Sequence, residues 1–195
     1  MKKNWPLIVL LLLLSACDSN EENKDKKEEP YFPVLSYIKS QVGSVDTSLF
    51  TIRKITILDS LHSDTAYVKR EDFRGLAKDF LDIPDLAEKK MRKRFKEENM
   101  FDQTINRAVI SYTPIDPEKE EIQKQQVLIT PNAAIGDKVN SIIIERSINN
   151  KDSSVQKNMI WQVDQSFQVT TVSQKPGQPE VISTMKVTWN EKEEQ

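Results

Sequence analysis

From Met100 onward the apolar residues stop recurring every three or four positions and begin to alternate, and the alternation holds as far as Trp189. A period of two belongs to strands that keep one face on a core and the other in water. The pattern predicts strands over residues 104–112, 122–130, 138–148, 154–163, 167–174 and 181–189. Within them Ile142, Ile144 and Ile148 share a face, as do Met159, Trp161 and Val163, and Val181, Met185, Val187 and Trp189. The links are short and polar, including the Pro176-Gly177 turn. Such links join antiparallel neighbours, because a parallel pair needs a crossover of about a dozen residues or more.

The half before Met100 is built differently. Leu35, Ile38, Val42 and Val45 fall at helical spacing behind Pro33, which suits a first helical turn, and they predict a helix over 32–42 lying across the sheet. Residues 49–58 are rich in β-branched side chains and, with 65–69, read as a hairpin around a turn at 59–64. Phe73, Leu76, Ala77, Phe80 and Leu81 then give a clean buried face for a helix over 71–81. Beyond Pro84, Asp85 with Glu88 forms a capping pattern for a third helix over 86–99, whose apolar stripe is only Ala87, Met91 and Phe95. The expected fold is α+β: an antiparallel sheet of about six consecutive C-terminal strands plus an N-terminal hairpin, with about three helices packed on one side.

The first residues are not part of that domain. Lys2 and Lys3 precede an almost unbroken apolar run at 5–14, and Leu14-Ser15-Ala16-Cys17 closes it with small residues. This is the shape of a secretory signal, and it is too short for a bilayer span, which takes about 20 apolar residues. Leu14-Ser15-Ala16-Cys17 resembles the lipobox of bacterial lipoproteins. The resemblance implies removal of residues 1–16 by a dedicated peptidase and attachment of acyl chains, palmitate among them, to the new N-terminal Cys17. Cys17 is the only cysteine, so no intrachain disulfide forms, and lipidation accounts for a lone thiol in an exported chain. One acyl chain holds a protein reversibly, whereas several together anchor it stably.

Residues 18–29 contain no apolar side chain, and Glu21, Glu22, Asp25, Glu28 and Glu29 alternate with Lys24, Lys26 and Lys27. Such a stretch buries too little surface to offset its ordering entropy, so residues 17–30 are expected to be a lipidated cysteine and flexible charged tether. Acidic residues behind the cysteine resemble the surface-export signal of some Bacteroidota lipoproteins, whereas Asp18 resembles the inner-membrane retention signal of enteric bacteria. The general layout is that of Bacteroidota envelope lipoproteins, and it implies the outer membrane ahead of the inner one. A single domain is expected over 31–190, followed by a polar tail at 191–195.

Candidate chemistry is sparse. The net charge of −2 offers no basis for binding nucleic acid, and one histidine, His62, excludes a multi-histidine metal site. Ser36-Tyr37-Ile38-Lys39 matches the Ser-x-x-Lys nucleophile pattern, but so do residues 154–157 and 183–186, and no companion motif accompanies any of them. Asp82 and Asp85 flank Pro84, where helix capping explains Asp85. No cofactor and no metal is expected. Two features carry binding alternatives. Lys89, Lys90, Arg92, Lys93, Arg94 and Lys96 form either an anionic-surface contact or a solvated face paired with Glu88, Glu97 and Glu98. Trp161, Phe167 and Trp189 either line the apolar mouth of a strongly bent sheet or fill an ordinary core.

Three function classes follow. A membrane-anchored envelope lipoprotein with a non-catalytic domain that binds an envelope protein or supports an assembly comes first. A carrier or sensor of a small apolar or anionic ligand in a concave sheet pocket is the alternative. A hydrolase built on carboxylates is the third, since paired carboxylates meet only in space.

Overall fold

The structure, a computed structural model, describes residues 30–57, 62–134 and 136–190. The expectations placed on residues 1–16, on Cys17 and residues 18–29, and on the tail at 191–195 lie outside the described residues. In chain order the elements are α1 (Val34–Asp46), β1 (Ile52–Ile57), β2 (Ser63–Val68), α2 (Arg70–Leu76), α3 (Lys78–Leu81) and α4 (Lys89–Arg92). Seven strands follow: β3 (Phe95–Asp102), β4 (Arg107–Pro114), β5 (Ile122–Thr130), β6 (Lys138–Asn149), β7 (Ser154–Gln162), β8 (Ser166–Gln174) and β9 (Val181–Thr188). All nine belong to one antiparallel sheet in the order β2-β1-β9-β8-β7-β6-β5-β4-β3. The fold is thus α+β, with the N-terminal hairpin set beside the last strand of a seven-strand meander.

Two rows of side chains define the inner face. Directly opposed residues run Ile110, Val127, Ile142, Trp161, Phe167 and Val187 from β4 to β9, and beside them Tyr112, Gln125, Ile144, Met159, Val169 and Met185. The opposite face carries Ser111, Gln126, Ile143, Ile160, Gln168 and Lys186, mostly polar, as the alternation requires. There Gln126 donates to Ser111 Oγ at 2.9 Å, and the Thr170 and Thr184 hydroxyls lie 3.0 Å apart.

Helices cover the inner face because their apolar stripes need it. Val34, Ile38, Val42 and Val45 of α1 are all buried, and the helix crosses the strands from the side of Tyr112 on β4 toward β1. The α2–α3 segment brings Phe73, Ala77 and Phe80 onto the same face. With α4 it carries the chain from edge strand β2 to edge strand β3, over the full width of the sheet. A contiguous core of helix and strand residues results.

Two helical expectations are corrected in detail. The helix expected over 71–81 divides at Ala77 (φ −80°, ψ 3°) into α2 and α3. The helix expected over 86–99 reduces to the single turn of α4, and Phe95–Asp102 is a strand paired with β4 from Phe95↔Pro114 to Asp102↔Arg107. The cause is visible in the stripe: Ala87, Met91 and Phe95 bury too little for a long helix, while β4 offers a complete backbone ladder. Met91 and Phe95 are buried in either arrangement. The strand expected from residue 104 begins at Arg107, after a turn in which Asn106 takes a left-handed conformation (φ 52°).

Candidate functional site

The aromatic trio meets in the centre of the core. Trp161 and Phe167, neighbours on β7 and β8, stack with centroids 5.3 Å apart and planes 14° from parallel, and Trp189 lies 5.4 Å from Trp161. Phe80 of α3 meets Trp161 edge-on at 5.2 Å, and Phe73 of α2 meets Trp189 edge-on at 5.1 Å. These five rings bury one another, with offset and edge contacts that suit aromatic quadrupoles. Where an apolar mouth was an alternative, the helical phenylalanines occupy the space above the indoles.

The basic stretch divides among three elements. Lys89, Lys90 and Arg92 lie on α4, Lys93 and Arg94 in the link, and Lys96 on β3. Part of it is paired: Lys90 with Glu88 at 3.1 Å, Arg94 with Glu120 at 2.6 Å, and Lys96 with Glu98 at 2.6 Å. Lys89, Arg92 and Lys93 form no ion pair among the described residues. Asp85 accepts the Ala87 amide at 3.0 Å in a local turn and is not the helix cap expected of it, since α4 starts at Lys89 behind Glu88 and has no side-chain cap. His62 is exposed and leads into β2.

Features invisible in the sequence appear at the sheet's ends and edges. On the inner face, below α3, Arg146 and Lys157 are direct cross-strand neighbours. Arg146 pairs with Glu121 at 2.6 Å and Lys157 with Asp79 of α3, so the two cations sit between two carboxylates. At the edges, β2 hydrogen-bonds only to β1 among the described residues, and Ser63 to Tyr67 are all exposed. Tyr67 is 79% exposed, and Leu49 (95%) and Phe50 (44%) enter β1 at the end where β2 finishes. Between Tyr67 and the core lies a surface depression of about 310 Å³, lined by Thr51, Arg53, Tyr67, Thr188, Trp189 and Asn190.

Among the described residues no group of three or more His, Cys, Asp or Glu side chains is placed to hold a metal ion, and no helix is long and apolar enough to cross a membrane. No family model, curated protein or solved structure matches the chain.

Proposed function

We propose that the chain is a lipoprotein of a bacterial cell envelope, anchored through acyl chains on Cys17, whose α+β domain binds a protein partner without catalysis. The outer membrane is its proposed location. The state of β2 is the observation that carries the binding half of this reading. An edge strand presents a row of backbone N–H and C=O groups that only another polypeptide backbone complements in register. Natural edges are blunted by lysine, proline, a bulge or a cover. Lys96 stands on the β3 edge and Lys93 just before it, whereas Ser63-Asp64-Thr65-Ala66-Tyr67 carries no lysine or proline and a single charge, Asp64. Exposed Leu49, Phe50 and Tyr67 add apolar area at one end of β2, and the depression beside Tyr67 has the size to take a side chain from an added strand.

A partner of extended conformation therefore fits this edge. The aromatic trio favours the same reading over a ligand carrier, because its rings are already engaged with Phe73 and Phe80.

Photo-crosslinking amino acids at Thr65 and Tyr67, with a control at exposed Asn158 in the middle of the sheet, test the proposal in cells. One discrete protein adduct from both edge positions and none from Asn158 is expected, and Tyr67→Lys should abolish the Thr65 adduct. Adducts at Asn158 alone, or none that Tyr67→Lys affects, would remove the edge as the docking surface.

A further inference from the structure

The two edges of the sheet differ in what reaches them. The N-terminal segment meets the domain at the β3 edge. Tyr31 donates its hydroxyl to the carbonyl oxygens of Phe95 at 2.8 Å and of Arg92 at 3.3 Å, and the Phe32 amide donates to the Tyr112 hydroxyl at 2.9 Å. The chain is thus pinned against the backbone that joins α4 to β3, which is the basic stretch itself. Whatever conformation residues 17–31 adopt, their contour keeps Tyr31 within roughly 50 Å of Cys17.

Charge at this corner is uneven. Glu88, Glu98, Asp116 and Glu120 each have a cation within ion-pair distance, supplied by Lys90, Lys96, Lys119 and Arg94. Glu97 lies on the face of β3 turned toward Tyr112, which leaves Glu118 and the half-buried Asp85 as the nearby acids with no ion pair among the described residues. Against them stand exposed Lys89 and Lys93 and the half-buried Arg92, whose Nε is enclosed. Ile115 projects beside them, 68% exposed, its amide donating to the Arg94 carbonyl at 2.9 Å. Unpaired cations around an exposed aliphatic side chain match a headgroup layer, where phosphates meet the lysines and the aliphatic group reaches the acyl boundary.

We infer that Lys89, Arg92, Lys93 and Ile115 rest on the anionic headgroups of the membrane that holds Cys17. This inference depends on the lipid-anchored reading above. It sets the domain's orientation: β3 lies against the bilayer, and with eight spacings of about 4.8 Å along a twisted sheet β2 stands at most roughly 38 Å farther out. The open edge then faces away from the lipid, toward partners. Neutralising an exposed lysine should weaken the contact roughly fivefold.

The test uses the full acylated chain, in which Cys17 carries no free thiol. Ile115→Cys and Tyr67→Cys, made separately, each accept one fluorophore, and the protein is reconstituted into phosphatidylcholine/phosphatidylglycerol vesicles containing nitroxide-headgroup lipid. Strong quenching at 115, little at 67, and loss of the quenching in high salt and in a Lys89→Gln/Lys93→Gln background are expected, with vesicle flotation unchanged. Equal quenching at the two positions in floated protein, or quenching at 115 indifferent to both salt and the lysines, would overturn the orientation while leaving the anchor intact. Failure to float would overturn the anchor, and the orientation with it.

Discussion

Tyr31 and Tyr112 meet ring to ring with centroids 4.5 Å apart, and the Tyr112 hydroxyl accepts the Phe32 amide at 2.9 Å. One buried strand residue thus ties the chain just before α1 to β4. Tyr112→Phe keeps the ring and removes the acceptor, so it should cost about 1 kcal/mol in denaturant unfolding and raise amide exchange at Phe32 selectively. An unchanged Phe32 exchange rate would show that the hydroxyl does not hold the chain.

Alkaline titration should single out the same phenol. Burial is the main cause that pushes the Tyr112 pKa well above its ordinary value, the Phe32 hydrogen bond opposes it, and Glu97 adds to the rise. Burial also raises Tyr37, with Asp164 contributing. A raised folded pKa means that the neutral phenol is favoured in the fold. The associated stability is therefore fully present below about pH 10, the unfolded value, and is lost as pH rises through the folded one. Phenolate absorbance should appear in an early and a late phase, the late phase coinciding with unfolding and shrinking in Tyr112→Phe.

Phe80 is the helical residue on which the aromatic core closes, edge-on to Trp161 at 5.2 Å and 5.5 Å from Phe167. Phe80→Ala should cost about 3 to 5 kcal/mol, the range for deleting a buried aromatic ring. Tryptophan fluorescence should shift to the red in the native baseline as Trp161 loses its cover.

Gln125 is 1% exposed among Tyr112, Val127 and Ile144, and neither atom of its side-chain amide has a hydrogen-bond partner among the described residues. Desolvating an amide without protein partners is unfavourable, whereas methionine has nearly the same length and no such requirement. Gln125→Met should raise unfolding stability by about 1 kcal/mol. A loss of stability would mean that the amide is satisfied in solution.

The sheet was legible because seven of its strands are half-buried, and Trp161, Phe167 and Val187 alternate with Ile160, Gln168 and Lys186 along their strands. β3 was not, since Lys96-Glu97-Glu98-Asn99 lies on an edge where both faces meet solvent and alternation has nothing to report. A run of good helix formers beside a buried Met91 and Phe95 then resembles a helix. The exposed β2 edge was hidden for a related reason. Tyr67 is exposed because β1 inserts beside β9, a pairing between Lys54 and Val187 that no local pattern encodes. The basic stretch was visible, but its place beside Tyr31 depends on hydrogen bonds spanning more than 60 positions of the chain.

The membrane anchor is the claim from which the edge and the orientation take their biological sense. Mass spectrometry of the N-terminal peptide, from protein extracted from its own membrane and compared with Cys17→Ala, tests it most directly. A peptide that begins at Cys17 and carries acyl chains, and a Cys17→Ala protein without them, are expected. An N-terminal peptide with an unmodified Cys17 would contradict it.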